Sequence, residues 1–428
     1  MASETRGSQV SRRQALGRIA TGAVGLAAGA TLSAPFVHAS GKRKLSYACN
    51  GVTAFPQIAR RAREDLGIEI EFNVYSNEDL LKLAVTQPNS LDLLEIAFDS
   101  LPFLIDLNKI RGIDARNINF FDEISPVFIP GNKGATPRQA DGRSPRDLCH
   151  VTKEISGGPT SDQSGWLAAI PVTFNADSLG VRVPSQATGI PTHWRALLAP
   201  EFAGHAAITG IPSVGIIDAA MALESRGDHR YANKSEMTHD DITFTVNRLI
   251  DFKKKDHFRG IWHTFSESVD LMTNKEVVIQ SMWFPAITRT RLTGIDCRMA
   301  DFEEGYRGWA RGLTLPRNLS QYKTDMAYDV FNWYLDGFPG SVISRQGYYS
   351  AVPKKTKDHL SADEWGYWYE GKTAEDDILS PAGDVVEQAG TARTGGSMAD
   401  RIGKIACWNS FMRDHSYLRR EWQRFLEA

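Results

Sequence analysis

Apolar positions recur along this chain in two rhythms. Over residues 44–49 (Lys-Leu-Ser-Tyr-Ala-Cys) they alternate, as in a half-buried strand, and a helical stretch follows over 54–66. Residues 68–75 (Ile-Glu-Ile-Glu-Phe-Asn-Val-Tyr) alternate cleanly and predict a second strand, with Ser76 as N-cap for a helix over 78–85. Residues 91–96 form an apolar run broken by Asp92 and Glu95, a third strand ending in Phe98-Asp99-Ser100, and a helix begins at Leu101. Strand, helix, strand, helix, strand is the pattern of a parallel α/β sheet. In such sheets the loops at the carboxyl ends of the strands face the ligand crevice, which here singles out Asn50, Tyr75, Ser76, Asp99 and Ser100.

The rhythm fails over 130–165, where Gly, Pro, Ser, Asp and Arg predominate and a long surface excursion is predicted. It resumes at 166–183 as strand, turn, strand, then as a short helix over 192–204 and a strand over 206–209. A helix over 214–224 follows with Ser213 as its N-cap, and its free N–H groups and positive dipole end make a seat for an anion. Further helices are predicted over 240–254, 266–274 and 286–293, with strands over 277–282 and 296–300. The segment 325–338 has a clear helical face, 341–346 continues it, and Gly347-Tyr348-Tyr349 leads into an irregular acidic region before helices close the chain over 397–425.

One stretch concentrates recognition chemistry. Residues 305–318 combine Tyr306 and Trp309 with Arg307 and Arg311 among closely spaced glycines, and run into a short apolar strand ended by Pro316. A guanidinium forks onto carboxylate or phosphate while an indole face covers a carbon skeleton, so the combination suits a planar or anionic small molecule.

The ends and the charge narrow the picture. Residues 1–39 have the form of an export signal: Ser11-Arg12-Arg13, a Gly/Ala-rich apolar run, and the small-x-small site Val37-His38-Ala39. The basic pair resembles a twin-arginine signal, although Ala15 and Gly17 depart from that pattern and leave the general secretory route open. The whole chain of 428 residues carries a net charge of −2, and the signal is basic, so the remainder is more acidic still. That argues against a nucleic-acid partner. Cys49, Cys149, Cys297 and Cys407 are widely separated; one or two disulfides are open to them in an oxidising compartment, and no metal-binding spacing occurs. No Gly-x-Gly-x-x-Gly follows a strand and no Gly-x-Ser-x-Gly elbow occurs, so an exported enzyme would need a constellation without a recognisable motif.

The order of these pieces resembles the periplasmic solute-binding proteins of ATP-binding-cassette importers, in particular the spermidine/putrescine type with its two-crossover fold. The carriers are Leu66-Gly-Ile-Glu-Ile-Glu-Phe with Tyr75-Ser-Asn-Glu, Leu91-Asp-Leu, Ala169-Ile-Pro with Leu179-Gly-Val, Trp194-Arg-Ala-Leu-Leu, Pro200-Glu-Phe-Ala-Gly, Asn274-Lys-Glu-Val-Val, and the block from Trp309 to Pro316 with Gly347-Tyr348. The resemblance implies an α/β fold of two lobes, each a mostly parallel sheet flanked by helices, with lobe 1 at 40–171 plus 308–352 and lobe 2 at 172–307 plus 353–428. The crossovers fall near 171–176 and 308–314. It implies a monomer without cofactor, metal or catalysis, which captures a small molecule, closes by hinge bending and delivers it to an inner-membrane permease and its ATPase.

The family's ligand-sandwiching aromatics fall on Trp283, Trp309 and Tyr348, its first-strand aromatic on Asn50, and its loop after the third strand on Ala97 to Ser100. Two departures concern charge. Arg311 stands where the family has an aspartate, and Thr209, Gly210 and Ser213 stand where paired carboxylates are expected. An unpaired diammonium ligand costs several kcal/mol per amine to desolvate, so the expectation moves from a polyamine to an anion or zwitterion bound by Arg311, with Arg393 as a second basic contact and Asp99 available to an ammonium. A ferric-ion site at Tyr348 and Tyr349 is the remaining alternative, although neighbouring residues on a strand point to opposite faces.

Overall fold

The structure is a computed structural model that describes residues 43–183 and 189–428; the predicted export signal lies outside the described residues. The first three predicted strands form as Lys44–Cys49, Glu69–Val74 and Leu93–Ala97, parallel, with the first in the middle. Their connecting helices start and stop where the chain supplies the chemistry. Pro56–Leu66 opens on a proline and closes on Gly67 at φ 64, a left-handed position that suits glycine. Asn77–Thr86 is capped by Ser76, whose hydroxyl accepts the Asp79 N–H at 3.1 Å.

The outer edge of Leu93–Ala97 pairs antiparallel with the long strand Tyr306–Pro316, which pairs antiparallel in turn with Ile170–Asp177. Tyr349–Ser350, Ile405–Trp408 and Ile110–Arg111 complete this side of the sheet. The predicted crossing segments are therefore neighbours at the centre of one sheet, and the chain leaves that sheet at their ends, through Ser178 and through residues 300–305. A second sheet has the order Phe258–Trp262, Ala206–Thr209, Ile279–Ser281, Leu179–Arg182, Cys297–Met299. The final helix, His415–Glu427, returns to that sheet and buries Leu418, Trp422 and Phe425 in its core.

Three local expectations are corrected. The 130–165 segment is not a loose excursion: His150–Val151 and Pro159–Thr160 join Ile113–Asp114 and Trp166–Leu167 in a four-stranded sheet, and Leu148, Cys149 and Val151 are buried beneath it. Its short strands draw order from tertiary pairing, which leaves no period to read. The C-terminal region is helix, strand, helix, because Ile405–Trp408 extends the sheet beside Tyr306–Gly308. Ser213 is no N-cap: the helix Pro212–Arg226 begins two residues earlier than expected, on a proline, with Ile211 at the cap position.

All four cysteines are buried free thiols. Burial pushes those of Cys49, Cys297 and Cys407 up to about 12. Among the described residues no helix is long and apolar enough to cross a membrane.

Candidate functional site

A cleft of about 690 Å³ opens where the carboxyl ends of the first three strands meet the second sheet's helices. That volume lies within the roughly 300–1,000 Å³ usual for small-molecule sites. One wall is the predicted loop set, Asn50, Ser76, Asp99 and Ser100, with Trp309 and Arg311 rising from the central strand. The facing wall carries Ser213 at its helix start and Trp283 immediately before the helix Phe284–Arg291.

The strand period explains the first wall. Arg307, Trp309 and Arg311 alternate onto one face of Tyr306–Pro316, with Gly308 and Ala310 between them. A Cβ at Gly308 would lie 2.7 Å from the Trp408 ring, so only glycine lets that indole close against the strand. Trp309 meets Tyr348 edge-to-face at 5.0 Å and 85°, and Trp283 leans on Trp262 at 5.0 Å and 73°, so each aromatic wall has a fixed orientation.

The charges do not follow the sequence-based expectation. Arg311 is buried and already ion-paired: its Nε donates to Glu95 Oε1 at 2.5 Å, and its Nη1 donates to Asn77 Oδ1 at 2.7 Å. Glu95 is fully buried on the third strand, where its other oxygen accepts the Tyr47 hydroxyl at 2.7 Å and the Thr53 hydroxyl. The guanidinium that was to bind an anion is therefore neutralised from beneath. The signal was present in the sequence, since Glu95 interrupts an otherwise apolar strand and a carboxylate buried there requires a cation.

The uncommitted charges lie elsewhere. Among the described residues Arg143 has no carboxylate within ion-pairing distance; it reaches the cleft rim from the 130–165 segment, and its Nη2 donates to the Asp147 carbonyl at 3.1 Å. Asp99 has no cationic partner among the described residues and accepts the Ser100 hydroxyl at 3.0 Å; burial raises its pKa above the ordinary carboxylate value, against the pull of that hydroxyl and of Arg311. Sequence reasoning also missed Trp408, Asn409, Phe411 and His415, which line the cleft from the C-terminal segment, and His263.

Not every predicted residue lines the cleft: Tyr75 is exposed outside it, and Tyr306 and Arg307 are buried away from it. Thr209 is fully buried at a strand end, where its hydroxyl accepts the Ile211 N–H at 3.3 Å. Arg393 is buried with its guanidinium 4.5 Å from the Trp368 ring centre and 4.7 Å from that of Phe284, and it donates to the Gly347 carbonyl at 3.3 Å. It braces the turn before Tyr348 from behind. Tyr349 points away from the cleft, fully buried and 5.6 Å from the Phe174 ring centre, so it forms no phenolate pair with Tyr348. Among the described residues no group of three or more His, Cys, Asp or Glu side chains is gathered to hold a metal.

No protein-family model matches the chain, and no curated protein matches it by sequence. Solved structures do match. The chain is similar to the spermidine/putrescine ABC transporter substrate-binding protein PotD of Streptococcus pneumoniae at 13% identity and TM-score 0.59, over 90% of this chain and 98% of that one. An ABC transporter substrate-binding protein from Bradyrhizobium japonicum matches at 14% identity and TM-score 0.58, over 90% and 99%. The binding protein AgtB of A. tumefaciens R10, solved with agropinic acid, matches at 11% identity and TM-score 0.54, over 90% and 99%. At these identities the likeness shows the fold alone: a two-lobed α/β arrangement like the type II fold of those binding proteins.

Proposed function

We propose that this protein is the substrate-binding component of an ABC importer, exported to the periplasm after loss of residues 1–39. In this reading a monomer captures a small organic solute between lobes built on the two sheets. The lobes close by bending beside Ser178 and residues 300–305, and the closed form docks on an inner-membrane permease with its ATPase. No chemistry is performed on the solute.

The solute class is a zwitterion. What supports this is the pairing of Arg311 with Glu95, which removes one cation from the cleft and leaves Arg143 for a carboxylate or phosphonate and Asp99 for an ammonium. Trp283, Trp309 and Tyr348 then enclose the carbon skeleton. Of the two classes the sequence left open, an anion or a zwitterion, a purely anionic solute would face Asp99 and Glu78 without a counter-charge of its own.

A thermal-shift panel of L-glutamate, γ-aminobutyrate, 2-aminoethylphosphonate, succinate and putrescine tests the reading. Binding at a hundred times Kd stabilises the folded state by about 2.7 kcal/mol, which is readily seen. The zwitterions are expected to raise the melting temperature and succinate is not. A response to putrescine alone would restore the polyamine reading, and silence from the whole panel would count against a solute of this class.

A further inference from the structure

Asp177 ends the strand Ile170–Asp177, one residue before the chain leaves the first sheet, and it is fully buried. Its carboxylate turns back beneath the cleft. Oδ2 accepts the Trp309 indole N–H at 2.5 Å, and Oδ1 accepts the Asn175 amide at 3.0 Å. The Trp309 link is a diagonal across the strand pair, since Asp177 stands opposite Arg307 and Asn175 opposite Trp309.

The nearby guanidiniums are committed elsewhere. Arg307 donates to Asp218 Oδ1 and Asn409 Oδ1, both at 2.8 Å, and Arg401 donates to the carbonyls of Thr394 and Ala176. The side-chain donors that hold the Asp177 carboxylate are thus an amide on its own strand and an indole whose ring forms the cleft wall. An indole offers a single donor, so fixing it fixes the plane of the ring.

We infer that Asp177 is a positioning residue for the bound solute: it locks the Trp309 ring and thereby ties the cleft wall to the residue at which the chain passes between the sheets. This rests on the cleft being the binding site proposed above. Losing the link lets the indole swing about its χ angles and loosens the edge-to-face contact with Tyr348.

The geometry carries a pH dependence. Asp177 is faced by Arg307 and Trp309 from the central strand, Asn175 from its own strand, Arg401 from the helix Met398–Gly403, Asp218 from the helix Pro212–Arg226, and Tyr348. Burial outweighs the two arginines and the indole, and pushes its carboxyl up to about 6. The neutral acid is the poorer acceptor for the indole. A folded pKa above the unfolded one means that this group's contribution to stability is full at low pH and is lost as pH rises through about 6. The grip on Trp309 runs the opposite way, so mild acid is expected to favour the fold while slackening the wall.

The test has a ligand-independent arm. In protein labelled with ¹⁵N-tryptophan, with the Trp309 indole resonance assigned by its absence in Trp309→Phe, that resonance is expected to titrate with a midpoint near pH 6 and to stay put in Asp177→Asn. A Trp309 resonance that neither titrates in the wild type nor differs in position between the wild type and Asp177→Asn at neutral pH overturns the inference. In the second arm, whichever panel solute stabilises the wild type most is titrated calorimetrically into Asp177→Asn, Trp309→Phe and the double variant. Each single change is expected to weaken binding by about tenfold, with the double variant no weaker than either, the signature of coupled residues. Independent, multiplying effects would overturn the positioning role. If no panel solute binds the wild type, the proposed function fails while the indole titration still decides the Asp177 link.

Discussion

Arg307 and Arg311 stand on one face of one strand, both buried and both paired with a buried carboxylate, yet the two pairs differ in what they join. Arg311 and Glu95 belong to the same sheet, and Glu95 is further satisfied by Tyr47 and Thr53. Arg307 reaches out of its sheet to Asp218, on a helix whose core belongs to the second sheet, and the second oxygen of Asp218 has no hydrogen-bond partner. The complete network lies within one sheet. The incomplete one joins the two sheets, beside Ser178 and residues 300–305, where the proposed closure would bend. Both arginines on this strand are spent on internal carboxylates, and the charge contacts of the proposed solute are sought on residues farther out.

Breaking the two pairs separates these roles. Arg307→Met leaves Asp218 in the interior with no counter-charge and is expected to cost about 3–5 kcal/mol in urea denaturation. Arg311→Ala is expected to cost less, about 2–3 kcal/mol, because Tyr47 and Thr53 still solvate Glu95. A loss within error for Arg311→Ala would show that the guanidinium does not serve Glu95, and would return it to the ligand.

The two serines at helix starts sharpen the same contrast on a smaller scale. Ser76→Ala removes a real cap and is expected to cost about 1 kcal/mol. Ser213→Ala, within the first turn of a helix that opens on proline, is expected to leave stability unchanged. Arg143→Ala is likewise expected to change unfolding by less than about 0.5 kcal/mol, while abolishing the thermal shift with L-glutamate. An undiminished shift would remove Arg143 from the site.

Much of this arrangement was legible in the sequence, for a physical reason. The first two strands alternate and the third is a buried apolar run, so their ends could be located, and Asn50, Ser76, Asp99 and Ser100 do line the cleft. Trp283, Trp309 and Tyr348 were found through the resemblance, and all three line the cleft. Partnership was harder to read. Arg311 and Glu95 are far apart in sequence and meet only because their strands pair, which no local pattern reports. Arg143 sits in a segment ordered by a small separate sheet, without a period of its own. Ile405–Trp408 is too short to show alternation, so the residues that follow it into the cleft went unseen.

The four buried thiols have a practical consequence. Each stands in a different part of the structure: Cys49 at the end of the first strand, Cys149 just before a strand of the small sheet, Cys297 on an edge strand of the second sheet, Cys407 on the C-terminal strand. Thiols held this far above neutral pKa react with alkylating reagents only when their surroundings open. The native chain therefore carries four chemical clocks, and their separate alkylation rates would time the opening of each region without any engineered label.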